Sequence, residues 1–551
     1  MIMKKLFKLF ILSAVLISSV GCKKYLDINS DPDTPQFPDA SSVFPAMLSA
    51  IPRGTQYDAR YISRYIQNFG QNTADYVWDL HGHTGYLAGS TDANGDIWRQ
   101  CYYGLGANLN YIINEGVKKG QWDYVGAAYS LKALMFQMTT DMHGEIIFKD
   151  AFKENASSFA FDSQESVYRG VDSLCRIALS YLNRTDLASS NSPLSKADFI
   201  FSGDRSKWIK FTNGILARNF HRTTNKSSYK ADSVIYYANL AMASGADDFV
   251  VPFDASKNDD SNFFGTYRDN LGSFRQSKFI VAMLDGTTLA GVSNPANRDP
   301  RMPQMLSASG DTTNGNGGYR GVDVGVADPA ASTSTARVAS PFGDATYANP
   351  SKARFDPSKG KYLFRDKAVH PIMTYAEMQF MIAEASFRKS GATATAYNAY
   401  KNGINGHFAF INRATFPRSN TPLYTNAPIS AAEQTAYMNS ANVKKTAGSL
   451  TMTDIMLQKY IALWGWGFFE TWVDMRRFHY TDVDAVTAAP VYKGYTIPSR
   501  IAVINPANGG KLATRVRPRF NSEYVWNFPQ LEAVGATLPD YHVKEMWFSQ
   551  P

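Results

Sequence analysis

Cysteine is scarce in this chain, with only Cys22, Cys101 and Cys175 among its 551 residues. Three cysteines at these spacings match neither a zinc site nor the disulfide framework of a small secreted domain. Cys101 and Cys175 both lie in apolar, helix-like segments. They are therefore predicted to be either buried free thiols or one disulfide pair.

Strong charge of one sign is also missing. The sequence has 56 Lys and Arg against 48 Asp and Glu, a formal net charge of +8, and three of the lysines fall within the first eight residues. Because no block of basic residues occurs, a nucleic-acid-binding surface is not expected. The sequence likewise lacks a Gly-x-Ser-x-Gly elbow and a phosphate-binding loop. These absences favour a binding protein over an enzyme, and no cofactor is predicted.

Long apolar runs are missing except at the start. Residues 9–20 are almost wholly apolar, follow a lysine-containing segment and end at Gly21-Cys22. This run is shorter than the about 20 residues that a membrane-spanning helix needs, so residues 1–21 are predicted to be a secretory signal peptide. Because a cysteine directly follows the small residues, Cys22 is predicted to be acylated as the first residue of the mature chain. An ordinary signal peptide that happens to precede a cysteine is the alternative.

The remaining chain divides by composition into a tether, helical segments and irregular segments. Their predicted bounds are 22–39 for a proline-rich extended tether, 40–551 for a single domain, about 40–250 and 370–480 for its helical scaffold, about 250–370 for a loop-rich region, and 480–551 for a C-terminal tail. Helical pairs with small and large residues alternating on the buried side suggest tetratricopeptide-like packing. The predicted fold is therefore mainly α, with a large irregular region packed on a helical-pair scaffold.

Apolar periodicity places individual helices within this scaffold. Ala127, Leu131 and Leu134 share one face at spacings of four and three. Asp162 and Glu165 predict a capping box that opens the next helix. Later helices are predicted over 371–390 and 453–478. Glycines 465 and 467 weaken the last of these locally, and we expect them to allow close packing.

Two glutamates on the predicted helix at 371–390 raise the question of catalysis. Glu377 and Glu384 lie two turns apart, about 10 Å along the helix axis, which is too far for the carboxyl pair of a retaining glycosidase. A structural hydrogen-bonding role is predicted instead. Ion pairs on a helix face are predicted for Glu470, Asp474, Arg476 and Arg477.

Aromatic residues in polar, nonperiodic loops are the candidates for ligand contact. Trp and Tyr stack on the flat C–H faces of sugars while polar neighbours bond the hydroxyls. The predicted ligand-binding residues are Tyr76, Trp78, His81, His83, Tyr86, Phe264, Tyr267, Tyr319 and Arg320; Phe263 belongs to the same group of loops. Trp78 is equally compatible with packing on the scaffold, and Trp98 is predicted to be core. The His81–His83 pair lacks an obvious third ligand, so no metal site is predicted.

Several motifs, taken in order, resemble the SusD/RagB-like outer-membrane lipoproteins. The mature chain would begin Cys-Lys-Lys-Tyr-Leu-Asp-Ile-Asn-Ser-Asp-Pro, and Asp141, Gly144 and Glu145 match the end of a family helix. The most specific match is DFIFSGDRSKWIKFTNGILARNFHR over 198–222. Further matches are Trp98, Tyr102, Asn108, Asp299-Pro300-Arg301, Tyr375-Ala376-Glu377, Ala383-Glu384-Ala385, Gln458-Lys459-Tyr460, Glu470, Trp472, Asp474, Arg476 and Arg477.

This resemblance implies a SusD-like fold and a cell-surface lipoprotein that is not an enzyme. It implies capture of an oligosaccharide and its delivery to a SusC-like TonB-dependent outer-membrane transporter. Capture of a peptide by a member of the same family is the alternative, followed by a surface glycan hydrolase. The implied location is the outer membrane, held by lipid on Cys22 and facing the cell exterior.

Overall fold

Helices account for most of the regular structure of this protein. The computed structural model describes Met3 and residues 38–73, 95–186, 193–331, 333–343, 360–498, 511–518 and 521–551. Two small two-stranded sheets accompany the helices in these ranges. None of the helices described there is long and apolar enough to cross a bilayer. The prediction of a mainly α fold is confirmed.

The first group of helices lies between residues 40 and 240, as the periodicity predicts. It comprises α1 (Ala40–Tyr65), α2 (Asp96–Arg99), α3 (Gly106–Lys119), α4 (Trp122–His143), α5 (Gln164–Leu182), α6 (Arg205–His221) and α7 (Ala231–Leu240). From α3 onward, each helix packs on the next one in sequence. This successive packing builds the predicted helical scaffold.

The second group of helices begins within the irregular region and joins the first group. It comprises α8 (Lys278–Leu284), α9 (Met302–Met305), α10 (Tyr375–Ser390), α11 (Ala394–Ile411), α12 (Ala431–Met438), α13 (Met452–Leu463), α14 (Phe468–Arg477), α15 (Asn521–Trp526) and α16 (Phe528–Ala533). Helix α10 contacts α7 as well as α11 and α13, and α14 contacts α1 and α4. The two groups therefore share one core.

Two antiparallel strand pairs connect distant parts of the chain. β1 (Phe69–Gln71) pairs with β3 (Phe274–Gln276), and β2 (Phe249–Pro252) pairs with β4 (Val369–Met373). Strand β4 occupies residues predicted to begin a helix. That prediction was wrong by four residues, because the helix begins only after Thr374, whose hydroxyl caps it by accepting the Glu377 N–H at 3.3 Å.

The predicted helix over 453–478 is two helices, so that prediction was also wrong. The chain turns between α13 and α14 at Gly465, which has a left-handed φ of +84°. A Cβ there would lie 3.1 Å from the Phe364 ring, and the Gly465 N–H donates to Asn68 Oδ1 at 3.2 Å. The glycine therefore ends a helix and permits a close approach at the turn.

The N-terminal cap of α5 differs by one residue from the prediction. Ser163, rather than Asp162, accepts the Ser166 N–H at 3.3 Å. The Asp162 carboxylate instead accepts the N–H groups of Phe148 and Lys149, at 3.1 and 2.8 Å. The Asp162 carboxylate therefore bonds the preceding loop and does not cap α5.

A buried aspartate explains the motif at 198–222. Asp198 is fully buried, and its carboxylate accepts the N–H groups of Ile200, Phe201 and Gly203 at 2.9 to 3.0 Å. It also accepts the indole N–H of Trp208 at 2.8 Å. One side chain thus organises the turn that leads into α6.

Buried aromatic rings and thiols complete the core. Trp98 is 2% exposed, which confirms its predicted core position. Cys101 and Cys175 are buried free thiols, so of the two predicted alternatives the structure shows the unpaired one. Burial raises the pKa of Cys101 to about 12, which makes that thiol unreactive.

Candidate functional site

A cavity of about 800 Å³ opens beside α1, and we call it the α1 cavity. Its walls come from α1, from the loop that follows β2, from Phe199 and from a turn at Arg418. This volume lies within the range of small-ligand sites. The walls combine apolar rings with charged and amide groups, which is the lining that a polar organic ligand needs.

Three phenylalanines provide the apolar surface of the α1 cavity. Phe199 and Phe253 are half-buried, whereas Phe263 is 8% exposed. The Phe263 ring is approached by two guanidinium groups, Arg60 at 5.1 Å and Arg268 at 5.3 Å. These cation–π contacts hold both arginines beside the ring.

Gln56 presents an unused hydrogen-bond acceptor at the cavity wall. The residue is 1% exposed and its Oε1 has no partner among the described residues. The neighbouring Asn262 amide donates to the carbonyls of Leu363 and Arg365, so Asn262 Oδ1 must accept from Gln56 Nε2, at 2.7 Å. That bond fixes the orientation of the Gln56 amide. The Oε1 is buried at the cavity wall, so a ligand hydroxyl or a water that reaches it would satisfy its unused acceptor capacity.

Charged side chains of both signs line the α1 cavity. They are Arg53, Lys257, Arg268 and Arg418, with Asp254, Asp259 and Asp260. Asp260 is already engaged, because it accepts the Lys257 N–H at 2.8 Å and the Ser256 hydroxyl. Burial and the positive charge of Arg53 lower the pKa of Arg268, against the opposing effect of Asp259. Arg268 thus has one like charge and one opposite charge in its surroundings.

Arg418 reaches the cavity from a tight turn with unusual backbone geometry. The Phe416 carbonyl accepts the Ser419 N–H at 2.9 Å, and Arg418 has a φ of +56°. With Pro417 before it, this is a type II turn whose third position favours Gly or Asn. An arginine therefore occupies a position where its backbone is disfavoured.

The predicted contact residues of the second irregular region lie in different environments. Phe264 is 1% exposed and packs between Phe364 and Phe468, with ring centroids 6.4 and 5.8 Å away. It belongs to the core, because the chain turns Phe263 rather than Phe264 toward the cavity. Tyr267 is half-buried beside Arg268, and its N–H donates to Asp366 at 2.7 Å.

Tyr319 and Arg320 lie in a separate loop and do not line the α1 cavity. Arg320 pairs with Asp311 at 2.7 Å, and the Arg298 guanidinium lies 5.8 Å from the Tyr319 ring. The other predicted site residues fall outside the described residues: Cys22, Tyr76, Trp78, His81, His83 and Tyr86.

Sequence reasoning missed most of the α1 cavity. Phe253 stands in a polar, aperiodic segment, and the rule that selected Phe263 could have selected it too. Gln56 gives no signal, because it lies on the periodic helix α1. Arg418 follows a proline, which indicates a turn. A turn does not reveal that Arg418 lies beside residues of α1 and of the loop after β2.

Acidic residues that suggested catalysis are engaged in the core instead. Glu377 accepts two bonds from Arg218, at 2.6 and 2.7 Å, and Glu384 accepts from Arg477 at 2.7 Å. Both glutamates are fully buried, which confirms their predicted structural role. Across the described ranges, no three His, Cys, Asp or Glu side chains are grouped to hold a metal ion.

The fold is shared with solved structures of low sequence identity. A SusD/RagB family protein from Bacteroides thetaiotaomicron matches with a TM-score of 0.66 at 21% identity, over 93% of this chain and 99% of that one. A chitin-binding protein matches with a TM-score of 0.66 at 18% identity, over 93% and 100%. A chitin-binding SusD homologue from Flavobacterium johnsoniae gives 0.59 at 20% identity, over 93% and 98%.

Sequence comparison identifies the family directly. No curated protein sequence matches the chain. The SusD-like family described as "Starch-binding associating with outer membrane" matches residues 35–503. That match spans most of the chain, so the protein belongs to this SusD-like family of carbohydrate-binding, outer-membrane-associated proteins.

Proposed function

We propose that this protein captures an oligosaccharide in the α1 cavity and delivers it to a SusC-like TonB-dependent transporter. Family membership supports carbohydrate binding and association with the outer membrane. Lipid on Cys22 would hold the protein at the cell surface, where it would meet its ligand outside the cell. Binding without turnover agrees with the engagement of Glu377 and Glu384 in the core.

One observation carries the placement of the ligand. The α1 cavity combines the half-buried Phe253 ring with the buried, unpartnered Gln56 Oε1. A sugar ring has apolar C–H faces and hydroxyl donors, so it can pack on the first group while it bonds the second. Asp254 and Asp259 are exposed on the same wall and can accept further hydroxyls.

A peptide is the second candidate ligand. Charged groups of both signs in the α1 cavity would also pair with peptide side chains and termini. Two structural relatives are chitin-binding by name, which favours the glycan and places chitin oligosaccharides in the test panel.

Calorimetric titration with a glycan panel and a peptide panel tests this proposal. We expect the wild-type protein to bind a glycan, and Phe253→Ala to weaken that binding about tenfold, about 1.4 kcal/mol, through loss of apolar contact. Tyr236→Ala is the matched control, because Tyr236 is 59% exposed on α7 and does not line the cavity. It should bind like the wild type.

Three results would count against the proposal. Binding of peptides alone would favour the second candidate, and glycan binding unaffected by Phe253→Ala would place the site elsewhere. Release of shorter sugars by the purified protein would indicate a hydrolase.

A further inference from the structure

Three arginines from distant parts of the chain line the α1 cavity. Arg53 comes from α1, Arg268 from the loop after β2, and Arg418 from the turn after α11. Among the described residues, no carboxylate lies within ion-pairing distance of any of the three. Like charges repel each other, so this arrangement favours an anionic group between the arginines, even with Asp254, Asp259 and Asp260 elsewhere on the walls.

We propose that the α1 cavity selects oligosaccharides that contain uronic acid, with the sugar carboxylate bound by Arg53, Arg268 and Arg418. This inference rests on the proposed function, and it names the class of glycan. A guanidinium group can bind a carboxylate through two parallel N–H···O bonds, which gives both strength and orientation.

Arg268 is held in place before a ligand arrives. Its guanidinium lies 5.3 Å from the Phe263 ring, and Arg60 lies 5.1 Å from the same ring. Phe263 in turn packs against Tyr57, with ring centroids 6.0 Å apart. A pre-positioned arginine loses less side-chain freedom on binding, so more of the interaction energy is available for affinity.

Arg418 occupies a backbone conformation that an arginine rarely adopts. At a φ of +56°, a glycine or asparagine would suit the turn better than an arginine. Disfavoured backbone conformations of this kind occur preferentially at ligand clamps. This backbone is compatible with a role of Arg418 in ligand binding, and the place of Arg418 on the cavity wall supports that role.

The other lining groups fit a sugar acid better than a simple anion. Three lining groups accept hydrogen bonds and donate none: the amide oxygen Gln56 Oε1 and the ionised carboxylates of Asp254 and Asp259. An inorganic anion offers them no donors, whereas the hydroxyls of a uronic acid do. The cavity thus pairs its cations with the carboxylate and its acceptors with the hydroxyls of one ligand.

Titration with acidic oligosaccharides and their neutral forms tests the inference. The probes are hexasaccharides of galacturonic acid, guluronic acid and hyaluronan, each compared with its methyl ester. At least one acid should bind about tenfold more tightly than its ester, and added salt should reduce that difference. Arg418→Gly should remove most of the preference, because it should weaken binding of the acid much more than binding of the ester.

Arg418→Gly is chosen because glycine suits the left-handed backbone, so the substitution should not destabilise the folded protein. Arg169→Gln is the matched control, since Arg169 is an exposed arginine on α5 that pairs with Glu165. Asp259→Asn should strengthen binding of the acid by removing a like charge beside Arg268.

The outcomes separate this inference from the proposed function. Equal binding of acid and ester, or an acid preference that survives Arg418→Gly, would overturn the inference. Binding of neutral glycans through Phe253 with no binding of any uronic acid would also overturn it and leave the proposed function intact. Absence of all glycan binding would overturn both.

Discussion

Glu470 shows how single buried charges hold the two helix groups together. Its carboxylate lies 2.7 Å from Arg222 and 3.4 Å from Arg218. Arg222 also bonds Asp141 on α4, and Arg218 bonds Glu377 on α10. Burial alone would raise the pKa of Glu470, but the two arginines outweigh it and lower the pKa to about 2.

Removing this carboxylate should strongly destabilise the protein. Glu470→Ala leaves Arg218 and Arg222, each 2% exposed or less, short of one counter-charge. We expect the free energy of unfolding to fall by about 3–5 kcal/mol, measured by chemical denaturation. Glu165→Ala removes an exposed partner of Arg169 and should cost no more than about 1 kcal/mol. Similar losses for the two variants would contradict this account.

At the residue scale, the sequence predicts which polar residues are structural but only some of their partners, such as the pair of Asp474 and Arg477 on one helix. Glu377, Glu384 and Glu470 were correctly assigned to the fold. Ion pairs along one helix face were predicted for the last helix, yet Glu470 bonds across helices to residues about 250 positions earlier. Helical spacing reveals neighbours on one helix and carries no information about which helices pack together.

His479, just after α14, ties this helix to the C-terminal segment. Its Nδ1 lies 2.7 Å from Asp482 and its Nε2 lies 2.9 Å from Glu545. The Nε2 also lies 3.1 Å from the Ser549 carbonyl. Burial by itself lowers the pKa of His479, but the two carboxylates outweigh it and raise the pKa above 6.5.

The contribution of this link should depend on pH. Because the pKa is raised in the folded state, the stabilisation is fully present below pH 6.5 and is lost as pH rises through the folded pKa. His479→Asn removes the titration and suits the φ of +43° at this position. The difference in unfolding free energy between wild type and variant should be larger at pH 5.5 than at pH 9. A difference that is constant with pH would contradict this prediction.

At the element scale, helices were predicted better than their ends. Periodicity located α4, α5 and α10, because each buries a broad apolar face. The errors lie at helix ends whose positions depend on contacts with residues distant in the sequence. Helix α13 ends before Gly465, whose N–H donates to Asn68. Helix α10 begins after Thr374 rather than at residue 371, because strand β4 pairs with β2.

At the scale of the whole molecule, the candidate site is the least predictable feature. The α1 cavity is assembled from segments near residues 53, 199, 254–268 and 418. Each segment looks ordinary in isolation, and only the fold brings them together. Phe253 and Arg268 come from the loop-rich region, which was predicted to be functional, but their partners on α1 and after α11 could not be read from the sequence.

The position of the whole molecule in the cell should depend on Cys22. Fatty-acid labelling in cells should mark the wild-type protein, and Cys22→Ala should abolish both the label and recovery with the outer membrane. Two or more acyl chains anchor stably where one does not, so loss of the lipid should release the variant from the outer membrane. Cys101→Ala is the matched control, because Cys101 is a buried free thiol and should not affect labelling. A labelled Cys22→Ala protein would show that the anchor lies elsewhere, and capture at the surface would then need another means of attachment.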